Sequence, residues 1–416
     1  MCRKTYFFLF LLLSLASMLD AQVVEQCGAG ILRKNSFVSH PELIVNREVT
    51  EQVIQEFVQN GVTNRGVLTI PVVFHIVYYS EVENVSAQQV FSQIAALNRD
   101  YRNRNENFSK VHEDFKKVAA DVEIEFCLAE KDPFGNETTG ITRTQTPYTD
   151  IGHKLNPSDG RPSIFYSYLG GEDAWDTKKY LNIWVCNIGG SILGSASFPG
   201  TAIAEEDGII IDYEAFGSIG TAKKPNHLGK TLAHEVGHYL DLEHIWGNTA
   251  GDCNIDDGID DTPEQERPTQ GCPNDRRVSC GSFDMYNDYM DYSTDECLAM
   301  FTQGQKKRML ASLQTVRKEL VNGDNCSQNT LDSPLEQIKL YTNPVDDELF
   351  VSLKEGNIFE ASVMIYDLVG NVMMEEKTFF FPGAYPIDVR FFPQGVYFVV
   401  LASSDNQLVR KLVVNH

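Results

Sequence analysis

Residues 234–244 read HEVGHYLDLEH, and this stretch decides how the chain is interpreted. On an α-helix, residues four apart project from the same face, so His234 and His238 present two imidazole nitrogens to one point in space. His244 is too far round to share that face, so we expect the helix to end after Leu240 and the chain to turn back with a third imidazole. Three histidines leave one tetrahedral position open to water, which is the arrangement of a catalytic zinc.

Glu235 directly follows the first expected zinc ligand. Zinc lowers the pKa of a bound water to around 7, and a carboxylate at this place can accept the proton as a general base. The five-residue HExxH pattern also occurs in helices whose His and Glu are merely solvated. The third histidine and a second motif downstream favour the catalytic site.

That second motif is NDYMDY at residues 287–292, and together the two motifs resemble those of the pappalysin branch of the metzincins. The resemblance covers about residues 66–320 and implies an α+β zincin fold with metalloendopeptidase activity. It implies that Met290 forms an apolar floor beneath the metal and that Tyr292 stabilises the oxyanion at the scissile carbonyl. Asp241 stands where the family usually has glycine; aspartate tolerates a left-handed backbone, so we expect only a modest cost.

The chain has 416 residues, which predicts two folded units rather than one domain. Its 35 basic and 58 acidic residues give a net charge of −23, which argues against binding to nucleic acid or to an anionic membrane surface.

The N-terminus has the pattern of a secretory signal peptide over residues 1–21. Arg3 and Lys4 precede a short apolar run, and a plausible cleavage site lies before Gln22. The run is too short to span a bilayer, and we find no other transmembrane candidate. Export from the cytoplasm makes disulfide bonds possible.

Residues 22–64 contain Cys27 close to the new N-terminus. This resembles the cysteine switch of pappalysin zymogens, in which a thiolate fills the fourth zinc position and excludes water. The alternatives are a disulfide partner or an idle thiol. If the switch is present, residues 22–64 are a propeptide, and Arg47 and Arg65 are candidate first residues of the mature enzyme.

The region 65–321 contains the expected protease domain. The apolar run 70–78 predicts a buried strand, and Ser86 begins a capping-box pattern for a helix to about Asn103. Residues 192–199 could be an edge strand that pairs with substrate backbone or an ordinary loop. Asn226 is a candidate N-cap of the zinc helix. Further strands are expected at 121–129, 180–187 and 207–213.

An acidic loop follows His244 and suits a hard cation with oxygen ligands, which in a secreted protein means calcium. The resemblance implies Asp257, Thr262 and Glu266 as calcium ligands. The alternative is a solvated acidic loop. Farther along, Asp295 and Glu296 could give the specificity pocket an acidic lining, which predicts a preference for Arg or Lys directly after the scissile bond.

The chain has nine cysteines, whose pairing cannot be derived from sequence. The resemblance suggests Cys253 with Cys280 and Cys272 with Cys297. Cys127 and Cys186 could pair or remain buried thiols, which leaves Cys326 over.

Residues 322–337 have the composition of a linker, and residues 338–416 predict a small Ig-like β-sandwich. The stretches YTNPVDDEL, IYDLVGNV and PQGVYFV resemble the sorting domain of type IX secretion. That resemblance implies passage through the periplasm to the surface of a Gram-negative bacterium, with the secretion machinery as a partner. A generic carbohydrate-binding or adhesive sandwich is the alternative.

Together these features predict a secreted zinc endopeptidase that is made as a zymogen and acts on protein or peptide substrates. One alternative is a catalytically silent zincin scaffold that serves as a surface binding or adhesion protein, although the intact Glu235 argues against it. The other is a different metzincin branch with an apolar substrate preference.

Overall fold

A computed structural model of the chain describes residues 25–62, 66–321, 338–341, 343–353, 359–380, 383–403 and 407–416. The expected signal peptide, the candidate maturation residue Arg65, the linker and Cys326 lie outside these ranges.

Two helices precede the first strand, and ion pairs such as Arg33 with Glu243 and Arg47 with Asp241 hold them against the rest of the protein. They are α1 (Ala29–Ser39) and α2 (Glu42–Asn60). Both fall within the expected propeptide. Arg47 lies inside α2, so it is part of a helix rather than of an exposed loop.

The central element is the strand β1 (Leu68–Tyr78), which is buried along nearly its whole length because both faces of its sheet are covered. The remaining strands and helices of this region follow in chain order: α3 (Ala87–Tyr101), α4 (Glu113–Lys116), β2 (Ile124–Leu128), β3 (Ile141–Gln145), β4 (Leu181–Cys186), β5 (Gly194–Ala196), β6 (Ile209–Asp212), α5 (Lys230–Tyr239), β7 (Val278–Ser279), β8 (Ser282–Phe283) and α6 (Gln303–Gln314).

The sheet has the strand order β2-β1-β4-β6-β5, and β3 pairs with the second half of β1. All pairs are parallel except β5 with β6, which is antiparallel. The prediction of an edge strand within 192–199 is therefore confirmed, although the strand is only three residues long. The sequence reasoning missed β3, because ITRTQ is short and largely polar.

The start of the zinc helix differs from the prediction. α5 begins at Lys230 with Gly229 as its N-cap, not at Asn226. Gly229 has φ +78°, and a Cβ there would lie 2.9 Å from the Cβ of Ala96 on α3. Close packing of the two helices and the left-handed backbone both require glycine, so the helix starts where the backbone can make this turn.

In its described residues the C-terminal region has seven antiparallel strands: β9 (Ile338–Tyr341), β10 (Glu348–Leu353), β11 (Phe359–Tyr366), β12 (Val372–Phe380), β13 (Gly383–Asp388), β14 (Gly395–Ala402) and β15 (Gln407–Val414). They form one sheet of order β13-β10-β9 and another of order β12-β11-β14-β15. Alternate residues such as Val351, Val363 and Val399 are fully buried in a core that shares no member with the core of the N-terminal region. The expected α+β zincin domain followed by a β-sandwich is confirmed.

Candidate metal centre

Three imidazoles converge at the end of α5. The Nε2 atom of His238 lies 3.1 Å from Nε2 of His234 and 3.1 Å from Nε2 of His244. The opposite ring nitrogens are held by backbone carbonyls: Nδ1 of His234 is 2.7 Å from the Tyr289 oxygen, and Nδ1 of His238 is 2.7 Å from the Leu242 oxygen. These bonds place the proton on Nδ1 and leave the Nε2 lone pairs facing one another, which suits a shared metal ion.

The chain reverses after α5 in the way the three-histidine spacing requires. Leu240 ends the helix, and Asp241 adopts φ +84°. The Leu242 amide then donates to the Gly237 carbonyl at 2.9 Å, which closes a left-handed turn at the helix end. The turn returns His244 to the cleft, where its ring stacks on Trp246 at 4.4 Å.

The electrostatics of this cluster fit a divalent cation. Burial lowers the pKa of His238 to about 3, and burial together with the neighbouring ring lowers the pKa of His234 well below its usual value. Both rings are therefore neutral at pH 7 and available as ligands. The Sγ atom of Cys27 completes the set, since one ligand atom from each of the four residues lies within 4.8 Å of the others. Three nitrogens and one sulfur at this spacing suit tetrahedral zinc.

Glu235 points into the same space from α5. Its Oε2 lies 3.6 Å from Sγ of Cys27, and its Oε1 has no hydrogen-bond partner in the part of the chain that the structure describes. Burial raises the pKa of the carboxyl to about 8. A buried carboxyl with a free oxygen beside the metal ligands can exchange a proton with a group bound there.

Met290 and Tyr292 lie on the loop below the histidines. Met290 packs directly under Gly237, where any Cβ would collide with its Sδ atom, so glycine is needed at this point of α5. The Tyr292 ring contacts His234 and His244 at centroid distances of 5.9 and 5.1 Å. Its hydroxyl donates to Oε1 of Glu25 at 2.6 Å.

The segment around Cys27 runs along the edge of the sheet. Cys27 forms a parallel bridge with Gly194 on β5, flanked by a 2.7 Å bond from the Leu193 amide to the Gln26 carbonyl and a 2.8 Å bond from the Gly28 amide to the Gly194 carbonyl. The segment thus fills the edge of β5 and the cleft at the same time.

The two acidic residues expected in the specificity pocket are placed differently. Asp295 is buried and lines a small pocket with Thr231, His234 and Glu235, and burial raises the pKa of its carboxyl to about 7. Glu296 lies outside that pocket, with a half-exposed side chain 3.9 Å from Lys224. Neighbouring positions in an irregular loop point in different directions, which the sequence did not reveal.

The acidic loop brings together only part of the expected calcium set. Thr262 donates to Oδ1 of Asp257 at 2.8 Å, and Oδ2 of Asp257 is buried without a hydrogen-bond partner among the described residues. Burial raises the pKa of this carboxyl to about 7. An orphaned buried carboxylate oxygen fits a hard cation. Glu266 instead pairs with the adjacent Arg267 at 3.0 Å and is not in contact with Asp257.

Two disulfide bonds staple the loops below the cleft, Cys253 with Cys280 and Cys272 with Cys297. Cys186 is a buried free thiol. Cys127 is disulfide-bonded, though not to Cys186, so these two strand cysteines do not pair.

Sequence reasoning missed a group of charged contacts between the N-terminal helices and the end of α5. Arg47 and Arg308 both pair with the buried Asp241, and both also pair with Glu51. On α1, Arg33 pairs with Glu243 at 2.6 Å. The available signal was the aspartate at position 241, which breaks the family pattern.

The zincin sheet, the three-histidine cluster and the methionine beneath it define a metzincin-type zinc metalloprotease. Residues 169–314 match the family model described as pregnancy-associated plasma protein-A, and residues 339–415 match that of the secretion system C-terminal sorting domain. The chain belongs to the pappalysin family of metalloproteases and carries a type IX sorting domain, so it is a secreted or cell-surface endopeptidase rather than a silent scaffold.

Relatives and solved structures agree with this assignment. An extracellular metalloprotease of Arthroderma gypseum is 30% identical over 290 residues, which are 69% of this chain and 86% of that protein. Promirolysin of Tannerella forsythia was solved as a glutamate-to-alanine mutant and is 36% identical to this chain, with a TM-score of 0.62. The match covers 72% of this chain and 97% of the promirolysin chain. Mature mirolysin of the same organism, solved in complex with a cleaved peptide, is 40% identical, with a TM-score of 0.56. That match covers 62% of this chain and 99% of the mirolysin chain. No helix among the described residues is long and apolar enough to cross a membrane.

Proposed function

We propose that the chain is a zymogen of a zinc endopeptidase that cuts before Arg or Lys, with residues 22–64 as the propeptide. The observation that carries this proposal is the position of Cys27, whose Sγ lies with the three imidazoles inside 4.8 Å. A sulfur there takes the place that a water must occupy for hydrolysis.

The relatives support the zymogen. The pro form of mirolysin matches 72% of this chain and the mature form 62%, and the difference of about a tenth is close to the length of residues 22–64. Maturation at Arg47 is disfavoured because this residue lies within α2 and is held by Asp241 and Glu51. We therefore place the boundary near Arg65, with the protease at 65–321, the linker at 322–337 and the sorting domain at 338–416.

Different residues of the chain have different roles in the proposed hydrolysis. His234, His238 and His244 would hold zinc, which supplies an acidic water when bound. Glu235 would take up, on its free Oε1, the proton that the attacking water gives up and would return it to the leaving amine. Removal of Glu25 frees the Tyr292 hydroxyl to donate to the carbonyl oxygen as negative charge develops there. The vacated edge of β5 pairs with the substrate backbone.

Specificity is assigned to Asp295 and not to Glu296. Asp295 is the carboxylate that lines the pocket beside Glu235, while Glu296 is directed to solvent. A long cationic side chain after the scissile bond reaches a buried carboxylate in this pocket, and the pairing offsets the cost of burying both charges.

We also propose a structural calcium at the acidic loop, with Asp257 and Thr262 as ligands. The orphaned Oδ2 of Asp257 supports it. Glu266 would need a different side-chain position to take part, because it pairs with Arg267.

The test is a cleavage profile. The activated protein and a Glu235→Ala version are incubated with a mixed peptide library, and the cut positions are read by mass spectrometry. We expect cuts before Arg or Lys from the first protein alone, and their loss on addition of a zinc chelator. Cuts set by apolar residues would contradict the assigned specificity, and equal cutting by the Glu235→Ala protein would contradict the general base.

A further inference from the structure

Arg33 of the proposed propeptide binds between a carboxylate and an aromatic ring beside the expected zinc ligands. Its Nη1 lies 2.6 Å from Oε1 of Glu243, and its guanidinium carbon lies 4.6 Å from the centroid of the Phe198 ring. A carboxylate and an aromatic face together contact one guanidinium, which is how proteins bind arginine with both charge and cation–π attraction.

This site lies next to the reaction centre. The Phe198 ring is 5.0 Å from the ring of His238, and Phe198 and Glu243 line one cavity with His244 and Trp246. The Asp295 pocket lies against His234 and Glu235 instead. Cys27 and Tyr292 border both spaces, so the two carboxylates line separate spaces that both adjoin the metal position.

Removal of the propeptide changes Glu243 more than its neighbour Asp241. Asp241 loses Arg47 but keeps Arg308, whose Nη2 lies 2.8 Å away. The hydrogen-bond partner of the Glu243 carboxylate within the described ranges is Arg33, which leaves with the propeptide. In the mature enzyme, Glu243 has therefore lost its hydrogen-bonded guanidinium and keeps only the charge interaction with Arg308. The buried Phe198 ring has lost both Arg33 and Arg47.

We propose that Glu243 and Phe198 form a second basic subsite, which binds an Arg or Lys side chain of the substrate on the N-terminal side of the scissile bond. This inference rests on the proposed function, since it assumes that Asp295 receives the residue after that bond. A peptide that crosses the metal between the two sites then presents basic residues on both sides of the cut. In the zymogen, Arg33 occupies the subsite that would bind the basic residue before the scissile bond.

The experiment uses the full chain, matured and loaded with zinc, and peptides that all carry Arg after the scissile bond. Each of the four positions before the bond is varied among Arg, Lys, Gln and Glu. At one position we expect kcat/KM to be about tenfold higher for Arg than for Gln, mainly through KM, as for a partly exposed ion pair with cation–π support. Glu243→Gln should bring that ratio close to one.

Two further variants separate the subsite from general effects. Glu205→Gln removes one exposed charge with no contact to Arg33 and should keep the ratio. Phe198→Leu keeps an apolar side chain and should lower the ratio about threefold, so the proposal stays testable if Glu243→Gln folds poorly. Thermal unfolding and zinc content are measured for each protein.

The outcomes distinguish the two proposals. Cleavage before Arg with no preference at any of the four positions would overturn this inference alone. An unchanged ratio in Glu243→Gln, with weaker inhibition by a synthetic peptide of residues 25–39, would show that the site serves only the propeptide and would also overturn it. Absence of cleavage for every peptide would overturn the proposed function and this inference with it.

Discussion

Single side chains from both sides of the expected activation boundary meet in the cleft. Cys27 comes from the N-terminal segment and the three histidines from the protease domain, and Oε2 of Glu235 lies 3.6 Å from the Cys27 sulfur. The Cys27 thiol is buried. Its residue pairs with Gly194 at the edge strand β5, next to the metal position. On the proposed zymogen function, latency would depend on this one sulfur.

We predict that Cys27→Ala raises the peptidase activity of the uncleaved chain by about tenfold or more, because the fourth metal position opens to water. Activity is followed with a fluorogenic peptide that carries Arg after the scissile bond. Cys186→Ala is the matched control, since it removes the second buried free thiol of the described ranges, which packs in a different apolar cluster. An equally silent Cys27→Ala zymogen would argue that Arg33, Arg47 and the helices alone keep the cleft closed.

Asp295 should make the specificity depend on pH. Burial raises the pKa of its carboxyl to about 7, so the group is largely neutral at pH 6 and largely ionised at pH 8. An ionised carboxylate attracts a cationic side chain and a neutral one does not. We predict that the ratio of kcat/KM for Arg over Gln after the scissile bond rises about tenfold from pH 6 to pH 8, following the ionised fraction. Asp295→Asn should give a ratio that does not change with pH; a pH-dependent ratio in this variant would assign the effect to another group.

At the scale of elements, the end of α5 is where α1 and α2, which we propose to be propeptide helices, form ion pairs with the rest of the chain. Asp241 replaces the glycine usual in the family and adopts φ +84°, which costs an aspartate about 1 kcal/mol. In return its buried carboxylate pairs with Arg47 of α2 and Arg308 of α6. The departure from the family pattern therefore joins three helices.

We predict that Asp241→Gly destabilises the zymogen by about 1–3 kcal/mol, because two partly buried guanidinium groups lose their shared buried carboxylate while the gain from the relaxed backbone is smaller. The loss should be smaller in the mature enzyme, which lacks Arg47. Thermal or urea unfolding of both forms measures this difference. Asp241→Asn is the control, since it tolerates the same backbone but removes the charge. Equal losses in both forms would mean that Arg308 alone accounts for the effect.

The acidic loop gives a second prediction at this scale. If calcium binds Asp257, its removal by a chelator should lower Tm by about 5–10 °C at pH 8, as for a ligand present near a hundred times its Kd. The pKa of this carboxyl is raised to about 7, so protons compete with calcium below that pH and the shift should be smaller at pH 6. Asp257→Asn should remove the shift, and Asp256→Asn, at the exposed neighbouring position, should keep it. If the chelator does not change the Tm of the unmutated protein, the calcium site is contradicted and the loop is a solvated acidic loop.

At the scale of the whole molecule, the protease and the sorting domain have separate hydrophobic cores. The residues of the two cores do not overlap, and the sorting domain is a pair of antiparallel sheets whose strands β11 and β12 contact α3 at the surface. Export and catalysis are therefore expected to be separable properties of this chain.

We predict that deletion of residues 338–416 leaves kcat/KM on a short peptide within about twofold but prevents delivery to the cell surface, because the protease core remains intact. Activity is measured on the purified protein, and delivery by fractionation of cells. The full-length chain with Glu235→Ala is the control for delivery, since it retains the sorting domain and lacks activity. Loss of the folded protease on deletion would show that the domains depend on each other.

Much of this molecule followed from the sequence by itself. The spacing of His234, His238 and His244 determined the metal centre, because a helix has a fixed period and the ligands lie close together along the chain. The apolar run of β1 and the short alternating strands of the C-terminal region determined the two fold classes in the same way, since burial follows local pattern.

Only the tertiary structure decided which distant charges meet. Arg33 and Glu243 are separated by 210 residues, and no local pattern records their contact. Asp295 enters the pocket and Glu296 does not, because irregular loops carry no periodicity that orients their side chains. The ion pair between Arg47 of α2 and Asp241 is hidden from the sequence for the same reason. A pair between distant segments depends on the path of the backbone, which is fixed only when the fold packs.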